Sequence, residues 1–259
     1  MIKNISWRAR LVWRRNFDVS IVTWKTDIFP PALEPIMYIV AFGMGLGGFV
    51  SKMHYRGGEY SYLSFIAPGM VMVGVLFHSI FESMYGSFVR MKHQKTYDAI
   101  IVTPLSLEDV LSGELLWGAT KGLIAGVIML AVVSCFGLVH YPSGLLIIPL
   151  GFFAGLLFSG FGLFFTAISH NIDALTLPTF LFINPMFLFS GTFFPLDAMP
   201  RWAIDIAWLF PLTHTVEIAR AAATGRLYWG LLWNALYLFV VGGGICLLAV
   251  RRMLVRLVK

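Results

Sequence analysis

Few residues in this 259-residue chain have the type and setting to do chemistry. Of its 13 acidic residues, Glu34, Glu82, Glu114 and Asp173 fall in or beside long apolar runs, together with Lys121. Carboxylates so placed are the material of a proton relay, because an ionisable group inside hydrocarbon is kept for function or for pairing. Their positions argue against a relay: each lies near one end of its run, where a long side chain reaches water, and none stands at a run's centre. Glu114 and Lys121 are seven residues apart on one helix face, a spacing that suits an ion pair completed through a neighbour. The six histidines show no HExxH spacing and no serine or cysteine in a hydrolase setting, so a membrane protease finds no support. In "GELLWGATK", Gly113 and Gly118 have the separation of a P-loop, but Ala119 and Thr120 stand where Lys and Ser/Thr are required. No ATP site is expected in this chain. His214, Glu217 and Arg220 follow one another at helical spacing; they suit polarising a gate, meeting a sugar or phosphate headgroup, or simply pairing among themselves. Cys135 and Cys246 lie inside apolar runs without partners at ligand spacing and read as small apolar fillers, so neither a disulfide nor a metal site is expected, and no catalytic cluster emerges.

The elements that must position these groups follow from composition. Hydrophobic residues make up 58% and charged residues 12% of the chain, with a mean hydropathy of +0.80; soluble domains carry about a quarter charged residues. The expectation is an all-α polytopic membrane protein. The net charge of +6 does not point to nucleic acid, because the bases sit at the ends and in short loops, as flanks of membrane helices do. Crossing ~30 Å of hydrocarbon takes about 20 apolar residues, and six runs qualify: 29–50, 62–88, 118–139, 143–169, 174–194 and 228–250. Pro30, Pro31 and Pro35 are expected in the first turns of the first run, where a missing N–H costs least. Placing both termini on one side gathers thirteen of the nineteen lysines and arginines there, which makes both termini cytoplasmic. The basic first 27 residues have no apolar stretch long enough for a cleavable signal.

Three segments outside the runs carry their own pattern. In residues 1–27, Ile2, Ile5, Ala9, Val12 and Trp13 share one helical face while Lys3, Arg10 and Arg14 face away; Trp7 and Leu11 interrupt the pattern. This predicts an amphipathic helix on the inner leaflet. The loop 89–113 is long for a connection. It predicts a short helix over 94–102, ended ahead of Pro104, and a capping box of Ser106 with Asp109 that starts the next helix. Lys95, Thr96, Tyr97, Asp98 and Ile101 become the candidate contacts with a cytoplasmic partner. In 195–227, Asp197 is expected to cap a helix over 198–210, Pro211 to end it, and a second helix over 212–224 to end at Gly225. At ~18–20 Å each is too short to span, and Trp202, Trp208, Phe210 and Leu212 would leave a large apolar patch in water. A re-entrant pair is predicted, with Trp202, Pro211, His214, Glu217 and Arg220 as outer-gate candidates. The small-residue stripes Gly118/Gly122/Gly126, Gly43/Gly47 and Gly151/Gly155 permit close helix approach, most simply within one subunit. Phe180, Phe182, Phe187, Phe189, Phe193 and Phe194 crowd the fifth run as packing or lipid-facing residues, with an aromatic path for an acyl chain and sugars as the functional alternative.

"YDAIIVTPLSLEDVLSGELLWGATKG" (97–122), "PMFLFSGTFFPLDAMPRW" (185–202) and "PLTHTVEIARA" (211–221) resemble the permease subunit of type-2 ABC exporters, the ABC-2 membrane family. The likeness covers essentially the whole chain as one domain, 1–259. It is greatest to permeases that export nodulation lipo-oligosaccharides; antibiotic-efflux and polysaccharide-export permeases are more distant. It implies six spans, a coupling helix after the second and a re-entrant hairpin before the sixth. It also implies a separate cytoplasmic ATPase subunit, in two copies, that binds ATP and Mg, and a second permease, as a homodimer seamed on spans one and five, in the bacterial inner membrane. The expected activity is ATP-driven export of an amphipathic substrate, a lipo-oligosaccharide or lipid-linked glycan, with drug or lipid efflux by the same family as the alternative. A proton-coupled carrier without an ATPase would need inverted repeats or broken midplane helices, and no internal repeat is present.

Overall fold

Backbone groups in hydrocarbon must be satisfied within the segment that carries them, and this chain meets that demand with helices. The computed structural model describes residues 6–45 and 53–258. Helix α1 (Ala9–Val22) turns at Thr23 into α2 (Trp24–Gly45). A two-stranded antiparallel hairpin follows, β1 (Met53–Tyr55) and β2 (Gly58–Tyr60), with Met53 opposite Tyr60. Its two turn residues, Arg56 and Gly57, both have positive φ (45° and 73°), the demand of the tightest hairpins. Next come α3 (Tyr62–Lys92), the short α4 (Thr96–Ile101), α5 (Leu107–Cys135), α6 (Ser143–Ile168), α7 (Asp173–Phe189), α8 (Arg201–Leu209), α9 (Pro211–Ala223) and α10 (Leu231–Leu257).

Among the described residues, four helices are long and apolar enough to cross a membrane: α3, α5, α6 and α10. The other two expected runs take different forms. The first begins at Trp24, not at residue 29, so Pro30, Pro31 and Pro35 lie inside α2 and not in its first turns. At 22 residues, or ~33 Å, α2 has the length of a span but carries Lys25, Asp27 and Glu34; the end expected at 46–50, with Gly47, lies outside the described residues. The fifth run is a helix of 17 residues or fewer that ends at Phe189 rather than 194 and includes a π-helical stretch, Thr179–Ile183.

Helix α3 forms the centre of the bundle. Its apolar window is 78% buried against 17% for α10, so α3 packs on all sides while α10 shows most of its surface outward. Val71, Val75, Leu76 and Ile80 of α3 meet Val110, Leu111 and Met129 of α5 and Ala154, Leu157 and Phe158 of α6 in one apolar core. The glycine stripe on α5 serves this seam: Gly118 faces Ser83 and Ser159, Gly122 faces Ser79, and Gly126 faces Val75. The packing is within one subunit. Gly43 of α2 likewise seats on Leu63 of α3.

The tightest approach to backbone is at Gly162 of α6, where an added methyl would meet the Ile80 carbonyl oxygen at 2.5 Å and the Met84 nitrogen at 3.1 Å. Overpacking of this kind costs about 1–3 kcal/mol. Gly162→Ala is therefore expected to lower the unfolding temperature of the purified protein. Gly151→Ala, whose methyl would find its nearest neighbour at 3.7 Å, is expected to leave it unchanged.

Candidate functional site

Two polar clusters sit at opposite ends of this bundle. One lies where α1, α4, the amino-terminal end of α5 and the carboxyl-terminal ends of α3 and α10 converge, called here the basic end. Helix α3 runs into it through a π-helical stretch, Glu82–Gly86, a feature that often marks functional positions. The hydroxyl of Thr166 on α6 donates toward the carbonyls of Ser83 (3.2 Å) and Met84 (2.7 Å), satisfying backbone in the widened turn.

Glu114 of α5, 1% exposed, is the hub. Its carboxylate accepts from Asn16 Nδ2 on α1 (3.1 Å), Ser87 Oγ (2.8 Å), and Arg90 Nε and Nη2 (3.0 and 2.6 Å to Oε2) on α3. Arg90 Nη1 also donates to Glu82 Oε1 (2.8 Å), which receives Trp117 Nε1 as well (2.9 Å). Lys121 Nζ lies 3.9 Å from Glu82 Oε2 and 2.5 Å from Asp27 Oδ1 of α2, and Ser20 of α1 also donates to Asp27. Glu114 and Lys121 are thus joined through neighbours, Arg90 and Glu82, as their spacing suggested. Of the five charges singled out in sequence, Glu82, Glu114 and Lys121 belong to this network. Asp173 does not, being exposed at the start of α7, and neither does Glu34, which makes no hydrogen bond or ion pair among the described residues and lines a cleft between α2 and α3.

Asn16, Asp27 and Arg90 escaped sequence reasoning. Arg90 lies eight residues from Glu82, a separation at which no regular helix rule pairs side chains, and Asp27 sits at the junction of a basic helix with an apolar one. The only sequence signal was the i, i+3, i+7 series Glu114, Trp117, Lys121.

Helix α4 hangs below this network. Ser106 and Asp109 form the expected capping box at the start of α5. Asp109 Oδ1 also accepts from the Ser6 backbone N–H (2.6 Å), and Arg8 Nη1 donates to the Pro104 carbonyl (2.6 Å), so the entrance to α1 is fastened to the α4–α5 loop. Tyr97 is buried, 1% exposed, and burial next to the Glu114 charge pushes its phenol well above its ordinary value. It anchors α4 from within and is not available for surface contact. Lys95, whose backbone is left-handed (φ 49°), Asp98 and Ile101 face outward with Val102, and Thr96 is half-buried.

On α1, Ala9 and Val12 are buried and pack against Gly113 of α5, while Arg10 and Arg14 are exposed. Trp7 and Leu11, which interrupted the sequence pattern, form with Val22 a second, exposed apolar face. Ile2, Lys3 and Ile5 lie outside the described residues.

The other end holds the hairpin, α8 and α9. Helix α8 begins at Arg201 after Pro200; Asp197 occupies a separate short turn, Leu196–Ala198, and does not cap it as expected. The two helices, nine and thirteen residues long, meet at the extended Phe210, and Pro211 opens the second instead of only closing the first. Nearly all of α9 is buried. Glu217, with 6% of its side chain exposed, accepts from Tyr55 Oη (2.5 Å), Arg56 Nε (2.9 Å) and Tyr228 Oη (2.8 Å). Burial first, and then the Glu217 charge, push the Tyr55 phenol up to about 12. Arg220 is buried, its guanidinium donating to the carbonyls of Phe65 (3.1 Å) and Gly191 (2.8 Å) and lying 3.8 Å from the Phe65 ring centroid. His214 stands apart, between Asn234 Oδ1 (2.9 Å) and the Trp208 carbonyl (3.0 Å), stacked on Tyr237. No hydrogen bond or ion pair joins His214, Glu217 and Arg220 to one another; Glu217 and Arg220 both meet Tyr55, whose ring lies 5.2 Å from the Arg220 guanidinium, and His214 is no part of that cluster. Trp202 is exposed and meets Phe189 edge-on. Tyr55 and Arg56 were missed because nothing in sequence links a loop at 55 to a helix at 217.

A bundle of long apolar helices with its charges confined to the two ends is an integral membrane protein. The family described as ABC-2 type transporter matches residues 8–223, and the chain belongs to that family. It is 33% identical over 227 residues to Nodulation protein J of Rhizobium leguminosarum bv. trifolii, covering 86% of this chain and 83% of that one. To Nodulation protein J of Sinorhizobium fredii it is 31% identical over 224 residues (85% and 82%). To the Inner membrane transport permease YadH of Escherichia coli K12 it is 24% identical over 216 residues (83% and 82%).

Proposed function

We propose that this protein is the membrane-spanning subunit of an ATP-driven exporter that carries an amphipathic substrate, a lipo-oligosaccharide or lipid-linked glycan, out of the cytoplasm. In this reading the six runs are six spans of one domain in the bacterial inner membrane, with both termini cytoplasmic. Residues 1–27 lie on the inner leaflet, 89–113 form the coupling loop, and 195–227 dip into the outer leaflet as a re-entrant pair. Two copies of the permease associate with two copies of a cytoplasmic ATPase subunit, which binds ATP and Mg and performs the hydrolysis; this chain performs none.

The observation that carries the reading is the mounting of α4. It is held from inside by Tyr97, hung between two long helices, and presents Lys95, Asp98, Ile101 and Val102 outward beneath a charge network that reaches α1, α2, α3 and α5. A force on that face passes to helices on which the path depends. The apolar outward residues, Ile101 at 42% and Val102 at 87% exposure, suit a dry protein contact better than solvent.

The test is Ile101→Asp in membranes that contain the permease and its ATPase. A buried interface position given a charge is expected to reduce ATP-driven export at least tenfold and to weaken co-purification of the ATPase, with the amount of folded permease unchanged. Export and co-purification at wild-type levels would overturn the assignment of α4 as the coupling helix.

A further inference from the structure

The open cleft between α2 and α3 has a volume of about 610 Å³, within the ~300–1,000 Å³ range of small-molecule sites, and the charge network accounts for only part of its lining. One wall is aromatic: Phe77, Phe81 and Tyr85 follow at four-residue spacing on α3, with successive ring centroids 5.4 and 5.8 Å apart. The opposing groups are polar. Asp27 is neutralised by Lys121 and Glu82 by Arg90, whereas Glu34 is left without a partner among the described residues. His78 Nδ1 lies 3.0 Å from the Gly74 carbonyl, which only accepts, so Nδ1 carries a proton, and in the neutral ring Nε2 is left as an acceptor.

These features narrow the ligand. An acyl chain would leave Glu34 and His78 unsatisfied in a dry contact. A phosphate would meet an unpaired carboxylate with no free cation beside it, since Lys121 is already engaged. A lone ammonium would satisfy Glu34 and suit the rings but would waste the acceptor on His78 and the donor on Tyr85. A pyranose ring uses all of them: its C–H face, slightly positive, lies on the negative faces of the aromatic ladder, and its edge hydroxyls donate to Glu34 and His78 and accept from Tyr85. We propose that the α2–α3 cleft is a sugar-recognition site, with Phe77, Phe81 and Tyr85 as the stacking wall and Glu34 and His78 as hydroxyl acceptors. The inference rests on the reading that the cargo carries a glycan, and it places recognition of that glycan within one subunit.

The test places a cysteine at Ile124 of α5, which lines the cleft, in a Cys246→Ala background. Exposed Cys135, at the other end of the same helix, is retained as the internal control. The intact chain in nanodiscs is treated with a small hydrophilic thiosulfonate. Maltotetraose at millimolar concentration, or dodecyl maltoside in the bilayer, is expected to slow modification at position 124 at least threefold and not at Cys135. The free sugar acting alone indicates access from water, and the alkyl sugar acting more strongly indicates access along the membrane; both support the site. Phe81→Ala should abolish the protection. Glu34→Gln, nearly isosteric, should weaken it even if the first variant folds poorly. Equal slowing at both cysteines, equal slowing by tetramethylammonium, or none at all would overturn the proposal. Protection in a protein that exports no glycolipid would leave the site standing and remove the export reading. Export without protection would do the reverse.

Discussion

Glu114→Ala is expected to destabilise the protein by about 3–5 kcal/mol, the cost of stranding one partner of a buried ion pair. The side chain of Glu114 is 1% exposed and that of Arg90 13%, so water cannot replace the lost carboxylate. Arg90 would keep only Glu82, while Asn16 and Ser87 would lose their acceptor. The effect should appear as a large fall in the unfolding temperature of purified protein in detergent. The double variant Arg90→Met, Glu114→Met should recover part of it, because apolar groups of similar volume fill the space of the pair, while Glu82, which loses Arg90, keeps Trp117 Nε1 and lies 3.9 Å from Lys121. Single and double variants that unfold alike would show that packing, and not pairing, holds this end together. Unfolding of Glu114→Ala at the wild-type temperature would remove the network from the stability of the fold altogether.

That network also marks the limit of what could be read in advance. Four of the six apolar runs, the capping box at Ser106 and the break at Pro211 are local: each follows from residues within a few positions, and the structure holds them. The span-like runs at α2 and α7 drifted because their ends are not set by hydropathy. Trp24 starts its helix directly after the turn at Thr23 that closes the amphipathic one, and α7 stops at Phe189 although Phe193 and Phe194 keep the sequence apolar. Partnerships were less legible still. Glu114 could be flagged as a charge in an apolar run, but its partners come from residues 16, 87 and 90, brought together by the packing of three helices. At α9 the regular series His214, Glu217, Arg220 invited a single cluster. On a helix of 3.6 residues per turn each step of three falls 60° short of a full turn, and the buried surroundings give His214 partners of its own while Glu217 and Arg220 meet at Tyr55. Tyr97 illustrates the same point at α4: a polar-ended residue in a polar loop reads as exposed, yet it is the one that faces in.

Glu217→Ala is expected to free the hairpin from α9. The carboxylate is the shared acceptor of Tyr55, Arg56 and Tyr228, so one substitution leaves three donors without it. Arg56, with 49% of its side chain exposed, turns to water at little cost. The two tyrosines are more enclosed, and each unsatisfied hydroxyl costs about 1–3 kcal/mol. Hydrogen exchange across residues 53–60 should quicken at least tenfold, whereas α9 itself stays protected because Arg220 keeps its bonds to the Phe65 and Gly191 carbonyls. Glu217→Gln should fall between, since an amide oxygen still accepts from a hydroxyl. The pH dependence has a definite sign. With the Tyr55 phenol raised from its ordinary 10.0 to about 12, its contribution is complete below pH 10 and is lost as the pH climbs through 12. In Tyr55→Phe that alkaline loss should shrink. Exchange across 53–60 that is as slow in Glu217→Ala as in wild type would mean that the hairpin is held by its ring contacts, Tyr55 on Phe65 and Arg56 on Tyr228, and that the carboxylate holds nothing. If the hairpin is released as expected, the clamp on α9 is electrostatic, and any motion of the hairpin against α9 must first break a set of bonds that meet at one residue.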